Sequence, residues 1–373
     1  MRVSNIGRLG VKELRSLWRD PIMLVLIVYA FSLSIYMAAT GMPETLHKAP
    51  IAIVDEDQSQ LSSRLVGAFY PPHFTPAAMV SRDAIDRGLD SGRYTFALDI
   101  PPDFQADLLA GRRPTVQLNV DATRMSQAFS GSGYIQQIVV AEVSEFLQRY
   151  RGAAAPPATL EVRARFNPTL ASSWFGSVME VINNVTMLSI VLTGAALLRE
   201  REHGTIEHLL VMPVTPFEIM AAKVWSMGLV VLVACALSLV IMVEGVLGVP
   251  IEGSIVLFLF GALLHLFATT SMGILMGTVA RSMPQFGLLL MLVLVPLLLL
   301  SGGITPRESM PGFVEFIMQA APTTHFVRLS QAILYRGAGL EVVWPQLAAI
   351  AALGAAFFGF ALSRFRKTIG SMA

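Results

Sequence analysis

Residues 254–280 read SIVLFLFGALLHLFATTSMGILMGTVA, 27 consecutive positions without a single Asp, Glu, Lys or Arg. A helix in a water-soluble core keeps a charged face. This one has none, and about 20 mostly apolar residues suffice to cross the hydrocarbon of a bilayer. Five further runs are long and predominantly apolar: 22–40, 174–198, about 224–249, 286–304 and about 343–365. The sequence therefore predicts a polytopic α-helical membrane protein with six transmembrane helices. Small residues punctuate the later runs (Gly261, Gly273, Gly277, Gly354, Gly359), as suits helices that pack closely in lipid. Pro296 lies inside the fifth run and marks it as the one broken span.

Composition agrees. The 373 residues are 54% apolar and 14% charged, against roughly 25% charged in a soluble domain. Net charge is +1, so bulk electrostatics name no partner and give no reason to expect nucleic acid. The single Cys235 lies within the third run, where it serves as a small apolar packing residue.

Basic residues set the orientation. Arg2, Arg8, Lys12, Arg15 and Arg19 precede the first run. Arg199 and Arg201 follow the second, Arg281 the fourth, and Arg364, Arg366 and Lys367 the sixth. By the positive-inside rule both termini are cytoplasmic and 42–173 is extracytoplasmic. Some 20 residues precede the first run, more than a cleaved leader usually has, so that run is expected to remain as a helix.

Along the chain, 1–41 reads as a cytoplasmic amphipathic elbow helix followed by the first span. Val3, Ile6, Leu9, Leu14, Leu17 and Trp18 recur near helical spacing between basic residues, a pattern suited to the headgroup layer. Asp20 then Pro21 caps and starts the first span. Residues 42–173 read as an α/β domain. Strands are expected at 51–55, 94–100, 116–120 and 160–166, helices after Ser59, near 84–89 and at 104–110, a long helix through 135–150, and a linker at 152–158. Residues 174–373 hold the remaining five spans.

The loop RERE-HGTIEHLLVMPVTP (199–216) carries the first functional signal. Gly204 breaks the helix leaving the membrane, and Thr205 can cap a short helix with Ile206, Leu209 and Leu210 on one face, ended by Pro213. Thr215, Pro216 and Glu218 then form a capping box with a first-turn proline. A merely solvated turn would not need two capped helix starts and an apolar strip. The pattern suits a short helix that docks on a partner.

Polar residues inside the runs are the second signal, because an ionised group at mid-bilayer costs roughly 3 kcal/mol or more. Glu180, Asn183 and Asn184 share one face of the second run; Glu244 lies near the outer end of the third; His265 is deep in the fourth. These five are candidate substrate-path residues, with helix packing as the competing role. The third signal is 301–339, where short helices at about 308–337 around Pro322 suit a re-entrant outer element.

Absences narrow the class. No Lys follows a Gly, so no phosphate-binding GxxxxGK[ST] loop exists; no HExxH, CxxC or GxSxG appears, and neither His265 nor His325 has metal-ligand spacing. The chain is not expected to be an enzyme or to carry a cofactor.

At 199–213 the pattern Glu200-Arg201-Glu202-x-Gly204-Thr205-x-Glu207-x-Leu209-Leu210-x-x-Pro213 resembles the coupling-helix motif of ABC-2 type permeases, the membrane subunits of ABC exporters. The likeness extends in order through the basic elbow, IAIVDEDQSQLS (51–62), IPPDF (100–104), Phe166-Asn167-Pro168, and LSGGITPRESMP with PTTHF after Leu300. Where many members carry a Pro-Gly pair at the start of span two, this chain has 178–184, VMEVINN. Path residues therefore do not transfer there. The chain looks closest to the subgroup that accompanies a membrane-fusion protein and a separate ATPase.

That resemblance implies a bacterial inner-membrane permease. It would be dimeric with itself or a homologue, driven by a cytoplasmic ABC ATPase that holds ATP and magnesium, and joined by a periplasmic adaptor. Its coupling set would be Arg199, Glu200, Arg201, Glu202, Gly204, Thr205, Glu207, Leu209, Leu210 and Pro213. Two rival classes are an ion-coupled secondary transporter using Glu180, Glu244 and His265 as a proton relay, and a membrane anchor for a binding domain. The first calls for repeats or broken helix pairs, the second for one or two spans rather than six.

Overall fold

The computed structural model describes residues 3–41, 48–121, 125–151, 172–202, 214–303, 305 and 310–370, with the backbone alone described at 125–130, 150, 151, 172, 369 and 370. The chain divides into two compact units, Met1–Gly41 with Ser173–Ala373, and Met42–Ser172.

The first unit is helical. Among the described residues, six of its helices are long and apolar enough to cross a membrane: Pro21–Thr40, Ser173–Glu202, Pro216–Val246, Ile255–Val279, Met283–Leu300 and Leu340–Thr368. They are called spans one to six below. Large apolar side chains stand exposed along them, such as Val25, Val256, Leu288, Met291, Leu292 and Trp344. That belt suits lipid, since water would penalise it.

Local chemistry sets the helix starts. The Asp20 carboxylate accepts from Met23 N at 3.2 Å and Pro21 occupies the first turn. Span three begins eight residues before the apolar run suggests. There Thr215 Oγ1 accepts from Glu218 N at 3.3 Å while Glu218 Oε2 accepts from Thr215 N at 2.9 Å. This reciprocal capping satisfies two helix-terminal amides ahead of the first apolar turn.

The expected break at Pro296 is not found: span five runs unbroken from Met283 to Leu300 with the proline inside it. In lipid, ending the helix would orphan further backbone groups, so the missing N–H is tolerated. The interruptions lie elsewhere. Span one breaks at Ser32 (φ −131°, ψ −82°), where the Ser32 hydroxyl donates to the Val28 carbonyl and competes with the backbone ladder. Span three ends as a π-helix over Leu239–Val246.

Span two is the centre of this unit. Its apolar window is 83% buried within the chain, against 17–56% for the other five. Glycines let span four approach it. A Cβ on Gly273 would stand 2.6 Å from the Ile190 carbonyl oxygen, and one on Gly277 2.9 Å from that of Gly194. The helix Pro322–Leu334 packs on span four through Leu329 against Gly261 and Phe326 against Phe258 (ring centroids 5.8 Å apart). Its neighbour Gly312–Gln319 exposes Phe313, Phe316 and Ile317. The N-terminal helix Val3–Trp18 lies on span three: Gly10 fits against the Trp225 ring and Trp225 Nε1 donates to the Ile6 carbonyl at 3.2 Å.

The second unit carries a four-stranded sheet, β1 (Ile51–Asp55), β2 (Ala78–Met79), β3 (Phe96–Ile100) and β4 (Gln117–Val120), in the order β2-β1-β3-β4. β1 pairs parallel with β2 and β3, and β3 antiparallel with β4. Ile51, Ile53, Leu61, Leu65, Phe74 and Phe96 form its core with Ile135 and Phe146 of the long helix Met125–Arg151. Arg64 donates to Glu142 at 2.8 and 3.0 Å, tying the helix Gln60–Ala68 to the long one. β2 is absent from the strands expected above, because two residues are too few to show alternation. The strand expected at 160–166 and the linker at 152–158 lie outside the described residues.

Candidate functional site

The charges at the end of span two converge into one structure. Each of the four residues Arg199–Glu202 holds a different neighbour. Arg199 pairs with Asp20, the cap of span one. Burial alone would raise the Asp20 carboxyl; the Met23 amide and the Arg199 guanidinium outweigh it and leave it below the ordinary carboxylate value. Glu200 bridges two lysines, with Oε1 2.6 Å from Lys12 Nζ and Oε2 2.8 Å from Lys223 Nζ. Lys223, in the third turn of span three, is 1% exposed at its side chain and also sits 2.9 Å from Glu13 of the N-terminal helix. Arg201 Nη1 donates to the carbonyls of Gly277, Thr278 and Ala280 at 3.2, 3.1 and 2.9 Å. It caps the negative end of span four. Glu202 Oε1 accepts from Met283 N at 2.8 Å, at the positive end of span five.

Four consecutive side chains thus fasten the end of span two to the N-terminal helix and to spans one, three, four and five. Two carboxylates and two ammonium groups meet in a mostly buried cluster, each charge facing opposite sign. Removing one partner of such a cluster leaves a buried charge uncompensated, at a cost of about 3–5 kcal/mol. Lys12, Glu13 and Lys223 are not among the site residues expected from sequence. Lys223 directly precedes the third apolar run, a place where a flanking lysine is ordinary in sequence. Of the remaining coupling-motif residues, Gly204, Thr205, Glu207, Leu209, Leu210 and Pro213 lie outside the described residues.

The intramembrane polar residues fall into two groups on span two. Glu180 accepts from the Ser34 hydroxyl of span one, and Asn184 Nδ2 donates to the Ala30 carbonyl at 2.7 Å and to Glu180 Oε1 at 3.4 Å. These contacts bracket the Ser32 break. Asn183 keeps a buried carbonyl oxygen without a hydrogen-bond partner. Three residues beyond Asn183, Thr186 Oγ1 lies 2.9 Å from His265 Nε2 and 3.1 Å from the Ile182 carbonyl, to which it donates. Ser189 donates to Thr269 Oγ1 at 2.6 Å. Phe326 stacks on the His265 ring, centroids 4.1 Å apart and planes 7° apart. Glu244 is exposed on the π-helix. Among the described residues, no hydrogen bond or ion pair joins Glu180, Glu244 and His265, so the geometry supplies no relay between them. No cluster of metal-ligating side chains occurs among the described residues.

Comparison with known proteins places this arrangement. The family described as ABC-2 family transporter protein matches residues 21–363. The inner membrane transport permease YhhJ of Escherichia coli (strain K12) is 66% identical over 369 residues, covering 99% of this chain and 99% of that protein. The probable multidrug ABC transporter permease YbhR of the same organism is 27% identical over 364 residues, 96% of this chain and 97% of the relative. Its counterpart YbhS is 25% identical over 343 residues, 89% of each. A match over nearly the full length, with six membrane-crossing helices, leaves one conclusion: the chain belongs to the ABC-2 family of transporter proteins and is a multi-pass membrane permease.

Proposed function

We propose that this chain is the permease subunit of an ATP-driven exporter of the bacterial inner membrane. Both termini are cytoplasmic, Met42–Ser172 is extracytoplasmic, and the N-terminal helix is an elbow lying on the cytoplasmic leaflet. Residues 199–213 form the coupling element, which docks on a separate ATPase subunit. ATP and magnesium bind and turn over on that partner, not on this chain. Two permeases, identical or homologous, make the membrane unit, matching a two-fold ATPase pair. The extracytoplasmic unit meets a membrane-fusion adaptor, and the helices at about 308–337 form a re-entrant outer element. The substrate class favoured by the relatives named as multidrug permeases is drug-like amphiphiles.

One observation carries the proposal. The four residues that open the coupling motif each grip a different helix, so a push on the following loop reaches the N-terminal helix and four spans besides its own. An ordinary turn would spend its charges on water. Movement of span two then bears on Glu180, Asn184 and the Ser32 break, which together with Asn183 and His265 are the proposed path-side elements; Glu244 stands at the outer end.

The test is co-purification with candidate ATPases, followed by Glu207→Lys combined with Leu209→Asp. An ATPase should co-purify with the native chain, and the double variant should lose it together with ATP-dependent export. Export that survives ATP depletion but stops when the proton gradient is collapsed would instead establish ion coupling.

A further inference from the structure

Between the N-terminal helix, span one and span three runs an apolar groove of about 550 Å³. Trp18 stands at one end; Val28 and Phe31 of span one and Leu229, Val233 and Ser238 of span three form its walls and floor. Ala234 and Ser238, one turn apart on span three, are small residues of its lining. Leu229 and Ile241, near its two ends, are separated by about 18 Å of helical rise. One leaflet's hydrocarbon is about 15 Å deep, half of the core thickness. Its walls include Val28, Leu229, Val233 and Leu237, all large apolar side chains exposed on the surface.

Two arginines neighbour Leu14 and Trp18 along the N-terminal helix. Arg15 and Arg19 are exposed and directly follow the groove residues Leu14 and Trp18. An indole at the interface with guanidinium groups beside it recognises a phosphate at headgroup depth. The deep end holds Ser32, the residue at which span one breaks.

From these features we infer that the groove holds one acyl chain of an anionic phospholipid of the cytoplasmic leaflet, its phosphate at Arg15 and Arg19 and its tail against the Ser32 break. The assignment of leaflet rests on the orientation given under Proposed function. A tail in this position props span one away from span three and so fixes the angle at Ser32, next to the Ser34–Glu180 contact. A second copy of the chain is the rival occupant; the two arginines favour the lipid.

The experiment uses the full chain in nanodiscs, without ATPase, and phosphatidylglycerol or phosphatidylcholine bearing a photoreactive diazirine on the acyl chain. Peptides containing Phe31 and Val233 should be labelled, with preference for phosphatidylglycerol. That preference should fall about fivefold for each of Arg15→Gln and Arg19→Gln, the worth of one cation beside an anionic headgroup. Ala234→Trp should fill the groove and abolish labelling at Phe31; Leu229→Trp serves the same purpose if the first variant does not fold. Labelling indifferent to both headgroup and groove filling would overturn the inference, as would disulfide trapping of Val233→Cys between two copies. Because the readout needs neither ATP nor transport, its failure is separate from failure of the exporter proposal.

Discussion

Lys223 Nζ lies 2.8 Å from Glu200 Oε2, joining span three to the charged end of span two in a setting where the lysine side chain is almost fully covered. Glu13, 2.9 Å away on the other side, completes the neutralisation. Lys223→Met should therefore leave two carboxylates poorly compensated and cost about 3–5 kcal/mol. Thermal unfolding of the purified protein in detergent checks this. Adding Glu200→Gln to Lys223→Met should recover part of the loss; equal instability in the single and double variants would show that packing rather than charge decides.

Arg199 and Asp20 make a more exposed pair, so its worth to stability is small, about 1 kcal/mol or less. Asp20→Asn should leave expression and unfolding temperature nearly unchanged while lowering ATP-driven export severalfold, because it loosens span one from span two. The Asp20 carboxyl is held below its ordinary value in the folded state. Its contribution is thus fully present above about pH 4, the unfolded carboxylate range, and is lost only as pH falls through the lower folded value. Transport assayed between pH 5 and 8 should show no step from this pair.

Gly273 leaves no room for a side chain, since its Cβ would meet the Ile190 carbonyl at 2.6 Å. Gly273→Val should separate spans two and four and cost about 1–3 kcal/mol, read as lowered yield and unfolding temperature. Gly287→Ala is the matched control, as a Cβ there meets nothing within 4 Å. It should be silent.

Glu180→Gln keeps a carbonyl oxygen that can accept from both the Ser34 hydroxyl and Asn184 Nδ2, as Glu180 Oε1 does, so assembly should persist. Export should fall by more than the protein level does. Glu180→Leu removes both contacts and should impair folding as well, measured as a drop in monodisperse protein. Loss of assembly with export per molecule intact would place Glu180 in packing alone.

Short-range chemistry is legible in the sequence. The Asp20 cap and the Thr215–Glu218 box each need residues within three positions of one another, and both occur. The apolar runs announce six helices because lipid imposes length and composition together. Lys223 is not legible in the same way: its partner Glu13 lies 210 residues away, and nothing local distinguishes a paired lysine from an interfacial one. Pro296 has the chemistry of a breaker, whereas Ser32, in an uninterrupted apolar run, is where span one gives way. A serine can break a helix only where neighbours accept the change, here Glu180 and Asn184 from another span. The three ionisable candidates Glu180, Glu244 and His265 share a property, their position in apolar sequence, but not a place, which periodicity along separate helices cannot supply.

The enclosure of span two by the rest of the bundle has a mechanical corollary. From Glu200 to Glu180 this helix runs about 30 Å. It is bolted at one end by four adjacent side chains and keyed midway by the glycines of span four. A rod so clamped has little freedom to bend along its length. In the proposed exporter, a displacement at the bolted end would therefore carry along the helix to Glu180, beside the break of span one at Ser32.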